Sequence, residues 1–207
     1  MDLFDAIHTQ RAMRRLKTDP IPDDLLHKIL EAAVRAPSGG NRQQWAFVVV
    51  REREIIAQLG ELYRRSFERL VESGYFSRGD VPDADGKIAR SAQHLAEHMK
   101  EVPVIIIACL HVEGRSDMFS AGASIYPAVQ NILLAARALG IDGTLTTIHR
   151  YHNEEVKKLL GIPDAYDTAA LIPLGYPLGR FGAGPRRPLE EVVHFERWNQ
   201  PPTREWS

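Results

Sequence analysis

The chain has 207 residues, 44% hydrophobic and 26% charged, the balance of a soluble globular protein with room for one α/β domain and its core. A formal net charge of −1 and a pI of about 6.7 argue against a nucleic-acid binder, in which a basic excess gathers on one face. No apolar run approaches the ~18 residues of a membrane span, and residues 1–7 lack the basic start and long apolar stretch of a signal peptide, so no membrane association and a cytoplasmic location are expected.

Residues 2–9 read as a short helix. Pro22-Asp23-Asp24 opens a second, running to about Arg35 with Leu25, Leu26, Ile29, Leu30, Ala33 and Val34 on one face. The polar loop 36–41 breaks it, and Trp45-Ala46-Phe47-Val48-Val49-Val50 is a strand. Residues 54–73 form a long helix, 74–86 a Gly/Asp/Pro loop, and 87–100 a helix charged on one side. Residues 102–110 are nearly all apolar and β-branched, the pattern of a strand buried on both faces. The single cysteine, Cys109, lies in this run and reads as a buried core thiol; an internal disulfide is excluded and a reducing compartment fits. An Ala/Leu-rich helix over 120–139 carries little charge before Arg137, as a central helix does. A Thr-rich strand over 143–148, a helix over 153–160 and a strand over 168–174 follow. Strands alternating with more numerous helices predict an α/β or α+β sandwich around a central sheet. The tail from Gly179 holds Val192, Val193, Phe195 and Trp198, too apolar for a free linker. It is an arm that either crosses a partner subunit or folds back on its own domain.

Four segments carry candidate chemistry. Arg11, Arg14 and Arg15 offer guanidinium forks that match phosphate oxygens, or else a solvated basic face. The loop Pro37-Ser38-Gly39-Gly40-Asn41-Arg42-Gln43-Gln44-Trp45 combines close backbone approach with side-chain donors and acceptors suited to a heterocycle edge. Gly143-Thr144-Leu145-Thr146-Thr147 presents amides and hydroxyls to a flat ring, or is simply a good strand former. Gly175-Tyr176-Pro177 precedes Pro185-Arg186-Arg187-Pro188, a second arginine pair. A P-loop, a Gly-x-Gly-x-x-Gly fingerprint and a Gly-x-Ser-x-Gly elbow are missing, and His149 and His152 lack a third ligand at metal-site spacing.

In this order the four segments resemble the nitroreductase family of FMN flavoproteins, from Arg11 to about Pro188, most weakly over 61–99. The most specific match is Pro37-Ser38-x-x-Asn41-x-Gln43-Gln44-Trp45, against the family's P-S-x-x-N-x-Q-P-W. The resemblance implies an α+β, three-layer α/β/α sandwich with a central mixed sheet. It implies one FMN-binding domain over 1–207, assembled as an intertwined homodimer in which the extension 179–207 embraces the partner. It places Arg11, Arg14 and Arg186 on the FMN phosphate, and Pro37, Ser38, Gly39 and Asn41 against the flavin of the neighbouring subunit. Leu145, Thr146 and Thr147 would lie over the ring, with a Thr147 donor aimed at flavin N5. Gln10 stands where a basic residue is common and Ala12 where a serine donates to phosphate, so the cradle is thinner here. The implied activity is ping-pong transfer from NADH or NADPH through flavin N5 to a small aromatic acceptor, a nitroaromatic or a quinone, with no side chain needed as acid or base. Two alternatives stand beside it. One is a flavoprotein that only stores FMN, motivated by the thinned cradle. The other is a reductive dehalogenase like the iodotyrosine deiodinase branch, whose helical lid holds a zwitterion with a Glu, a Tyr and a Lys. That lid falls here at about 62–100, where Tyr63, Tyr75, Glu97 and Lys100 are available without a one-to-one match.

Overall fold

The strand β2, Val104–His111, is the axis of the molecule: Ile105, Ile106 and Ile107 are completely buried. A computed structural model describes residues 1–77, 86–114 and 116–200. Around β2 lie β1 (Trp45–Val50), β3 (Asp142–Gly143) and β4 (Tyr166–Gly175), in the order β1-β2-β4-β3. Side chains alternate across a strand, so β2 feeds two cores. Val104, Ile106, Ala108 and Leu110 pack on α2 (Asp23–Ala33) and α6 (Tyr126–Ala138). Ile105, Ile107 and Cys109 pack under α3 (Arg53–Glu72), α4 (Lys87–His98) and α7 (Asn153–Leu160). Helices on both faces of one sheet make the expected three-layer α/β/α sandwich of α+β class.

The sheet differs from expectation in one respect. Every strand pairing among the described residues is antiparallel, where a mixed sheet is expected. Burial on both faces, usually a mark of parallel sheets, is achieved here by helix layers on an antiparallel one. A register shift between Ala108 and Cys109 lets Ala169 and Ala170 both join the α2/α6 core.

Most helices fall where periodicity puts them, including α1 (Leu3–Thr9), capped by the Asp2 carboxylate accepting from the Phe4 N–H at 2.8 Å. Three elements differ. The helix expected over 120–139 is two: α5 (Met118–Gly122), then α6 after a break at residues 123–125. Pro127 has no N–H to bond the Ala123 carbonyl and suits only a first turn, so α6 starts there. The helix expected over 87–100 ends at His98 and tightens into a 3₁₀ turn, Met99–Glu101. The threonine strand shrinks to β3, one bridge between Thr146 and Leu171, and a 3₁₀ turn, Ile148–His152. Of the expected loop 74–86, Tyr75–Ser77 is a 3₁₀ turn and residues 78–85 lie outside the described residues. The arm is described to residue 200: it carries a 3₁₀ turn at Leu189–Glu191 and leaves Trp198 80% exposed. Residues 201–207 lie outside the described residues.

The basic segment is extended and docks where β3 and β4 end. The Met13 N–H donates to Gly143 O at 2.9 Å, Lys17 N–H to Tyr176 O at 2.8 Å, and Leu178 N–H to Arg15 O at 2.9 Å. Glycines make room. A Cβ on Gly175 sits 3.1 Å from Leu16 Cβ, and one on Gly143 sits 1.9 Å from Pro173 O. Gly143→Ala therefore forces β3 away from β4 and from Met13. Its expected cost is about 1–3 kcal/mol in chemical denaturation, the range of core overpacking; unchanged stability contradicts the close approach.

Candidate functional site

A cavity of about 350 Å³ opens between the helices of the α3/α4 layer and the chain following β3. Its polar end is formed by Arg14 and residues 144–147. Its apolar walls include Phe67 and Leu70 of α3, Tyr75 and Phe76, Ala92 of α4, and Tyr151. Tyr75 meets Phe76 edge-on at 5.1 Å, and Phe76 lies 6.0 Å from Phe67, so the wall is braced by ring contacts. Tyr63 Oη lies 3.1 Å from Thr146 Oγ1 and ties α3 to the threonine segment. That segment is fixed by the reciprocal main-chain bonds of Thr146 and Leu171, at 3.0 and 2.9 Å. Thr147 is exposed, and neither its N–H nor its hydroxyl donates to another described residue.

Arg14 is the half-buried cation of this cavity, yet its guanidinium makes no ion pair or hydrogen bond among the described residues. Burial lowers its pKa from the ordinary value, with the nearby Tyr63 acting in the opposite sense. A desolvated guanidinium facing a cavity whose described walls carry no carboxylate suits an anionic group.

The other predicted residues divide between two places. Leu145, Thr146 and Thr147 join Arg14. Arg11 and Ala12 are exposed beside it on the extended segment, while the side chain of Gln10 turns towards Asp142. Arg186 is exposed on the arm, bonded to its neighbour Pro185 O at 2.8 Å, and is not part of the cavity wall. Pro37, Ser38, Gly39 and Asn41 sit on the opposite side of the sheet. They follow α2, and the Gly39 N–H donates to Ser124 Oγ, just before α6, at 3.1 Å. Their loop is shaped by left-handed backbone at Gly40, Asn41 and Gln43, held by Gln43 N–H donating to Ser38 Oγ at 3.0 Å. Left-handed Gln43 is strained, and such strain concentrates at functional loops.

Of the residues available for a zwitterion-binding lid, Tyr63 and Tyr75 reach the cavity. Glu97 instead accepts from Gln93 at 2.8 Å, and Lys100 packs by Gly60 with its carbonyl accepting from Arg53. Periodicity marks Phe67 and Leu70 only as part of an apolar stripe, so sequence reasoning missed them as wall residues. It also missed Asp142 and His149.

These two are buried ionisable groups at either end of the wall segment 144–148. Asp142 is completely buried, accepts from the Gly143 N–H at 2.7 Å, and is pushed up to about 6 by desolvation. His149 is completely buried with Nε2 3.0 Å from Thr168 Oγ1, and burial lowers it to about 4. Burial raises the Cys109 thiol to about 12, as an inert core position requires. Among the described residues no group of three or more His, Cys, Asp or Glu is arranged to hold a metal ion, and no helix is long and apolar enough to cross a membrane.

A family model described as the nitroreductase family matches residues 7–176. The chain is 32% identical over 199 residues to an NADH dehydrogenase of Thermus thermophilus, covering 93% of this chain and 95% of that protein. It is 26% identical over 182 residues to iodotyrosine deiodinase 1 of Rattus norvegicus, covering 85% of this chain and 62% of that protein. Among solved structures, an NADPH:FMN oxidoreductase from Vibrio harveyi complexed with NAD⁺ superposes with a TM-score of 0.73 at 20% identity, over 96% of this chain and 78% of that one. At that identity the likeness speaks for the fold alone.

The two buried groups oppose each other in acid. A carboxyl raised to about 6 adds stability below its unfolded value near 3.8 and loses that contribution as pH rises through 6. An imidazole lowered to about 4 adds stability above 6.5 and loses it as pH falls through 4. Asp142→Asn removes the first term, so the variant should lose about 3 kcal/mol more stability than the parent between pH 6.5 and 4 in urea unfolding. Parallel pH profiles for the two proteins contradict this assignment.

Proposed function

The chain belongs to the nitroreductase family, and from that premise we propose that it is an FMN-dependent oxidoreductase that uses NADH or NADPH to reduce a small aromatic acceptor, a nitroaromatic or a quinone. The observation that carries the reading is the half-buried Arg14 guanidinium, unpaired among the described residues, at the polar end of an aromatic-walled cavity. A flavin mononucleotide presents the matching pair, a phosphate dianion and a flat apolar ring system. Bound FMN supplies hydride acceptance from the nicotinamide and later donation to the acceptor, the alternation that makes turnover ping-pong.

The protein's own contribution is binding and orientation. Arg14 and the neighbouring Arg11 hold the phosphate by charge-assisted hydrogen bonds. Thr146, fixed by Leu171 and Tyr63, sets the height of the segment over which the ring lies. Thr147 keeps its donors uncommitted among the described residues, as a partner for flavin N5 requires. Phe67, Phe76 and Tyr151 shed water from the space beside the ring. Arg186, exposed on the arm and outside the cavity wall, is not part of this reading. Among the described wall residues Arg14 is the one charged group, which favours a neutral aromatic acceptor over a zwitterionic amino acid and ranks the dehalogenase reading second.

The loop containing Pro37, Ser38, Gly39 and Asn41 lies in the α2/α6 layer of its own chain and the cavity in the α3/α4 layer. The sheet stands between them, which supports a homodimeric site in which each cavity receives the loop of the other subunit. Large apolar side chains left in the open fit such an interface: Leu3 and Phe4 of α1, Phe119 of α5 at 94% exposure, and Trp198 of the arm.

Purified protein mixed with FMN should acquire bound flavin absorbance, bleach with NADH or NADPH without air, and recover its colour with a quinone or nitroaromatic. A protein that binds no FMN contradicts the reading, and bound FMN that neither nicotinamide bleaches leaves the storage alternative. Arg14→Ala should weaken FMN binding roughly 10- to 150-fold, the equivalent of a charged hydrogen-bond contribution, with Arg14→Lys between the two. An unchanged dissociation constant makes Arg14 a bystander.

A further inference from the structure

Asp142 is a carboxylate with no place in the chemistry above, fully buried where burial is costly. Its surroundings give it a task. Its Oδ1 accepts from the Gly143 N–H at 2.7 Å, and its Oδ2 is sealed off without a tight hydrogen bond among the described residues. The Gln10 side chain and the Arg11 main chain come close enough to the same carboxylate to favour its charged form, more loosely than Gly143, and Arg137 is the nearby cation. Gly143, the next residue, accepts the Met13 N–H through its carbonyl at 2.9 Å. Arg137 donates through Nε to Thr9 Oγ1 at 2.9 Å and stacks on Phe181 at 3.8 Å. Residues 9–13 are thus fastened at successive points to the end of α6 and to β3, and this is the stretch that delivers Arg11 and Arg14.

We propose that Asp142 is a positioning residue: with Gln10 as its strut, it fixes the main chain from Thr9 to Met13 so that Arg11 and Arg14 are preorganised for the phosphate of FMN. Gln10 then replaces a cation for a structural reason. Its amide turns inward to a buried carboxylate and contributes order in place of a phosphate contact. Ordering the arginines before binding removes an entropic cost that a free segment carries into the complex. The inference rests on the FMN reading of the cavity.

The test compares FMN with riboflavin, which lacks the phosphate, by quenching of flavin fluorescence on the full-length chain stripped of flavin near neutral pH. The parent protein should prefer FMN; equal affinity for the two flavins overturns the phosphate reading itself. Asp142→Asn should raise the FMN dissociation constant about tenfold and leave that of riboflavin within about twofold. Gln10→Leu, at a partly exposed position that tolerates the change, should do the same. The double variant should be no worse than either single one, because both act through one strut. Three results overturn the positioning role: FMN bound as well or better by Asp142→Asn, which leaves only a through-space charge effect; equal losses for both flavins, which mark general loosening; or additive losses in the double variant.

Discussion

The constraint on which the structure depends is that β2 is apolar on both faces. Burying Ile105 and Ile107 on one side and Ile106 on the other requires helices on both sides of the sheet. Each such isoleucine contributes roughly 1.5–3 kcal/mol when taken from water, so neither layer is dispensable. The sheet thereby becomes a wall. It separates the strained Ser38–Gln43 turn, which leads from α2 into β1, from the cavity that Arg14 and Thr147 share. On the proposed reading, each chain carries both halves on opposite sides of this wall, and a second copy brings them together.

A second principle governs the charges. Exposed ion pairs such as Arg64 with Glu61 and Arg65 with Glu155 decorate helices and contribute little. The groups that matter are buried or half-buried. Arg14 faces the cavity with no ion-pair partner among the described residues. Asp142 and His149 are fully buried at either end of the 144–148 wall segment, the carboxyl held up and the imidazole held down by the same desolvation. An apolar pair would pack there at lower electrostatic cost. The cost is tied to order in two short segments with little regular secondary structure of their own.

Much of this was legible in the sequence, for identifiable reasons. Residues 45–50 and 104–111 betray themselves by continuous apolar character, and α2 and α3 by a clean helical stripe. The resemblance of the Pro37 loop, Arg14 and Thr147 to family motifs found residues that a composition argument leaves ambiguous. What escaped depends on three-dimensional accidents. The break before α6 is written in Pro127, but the surrounding Ala/Leu pattern continues the helical period and hides it. The threonine segment has strand propensity, yet on the edge of β4 away from β2 only Thr146 adds a bridge, to Leu171, before the chain coils into the 3₁₀ turn at Ile148. Tyr63 and Phe67 look like any α3 core residue until the neighbouring chain leaves a cavity above them. Asp142 sits between apolar residues and glycine in Gly140-Ile141-Asp142-Gly143, where a single acid reads as a turn residue and its burial cannot be inferred.

The central claim is that the FMN site is completed by two chains. The mass of the flavin-bearing species in solution, by light scattering with flavin absorbance read on the same peak, tests it most directly. The account predicts flavin only on a species of twice the 23.3 kDa of one chain. Flavin retained on a particle of single-chain mass would contradict it.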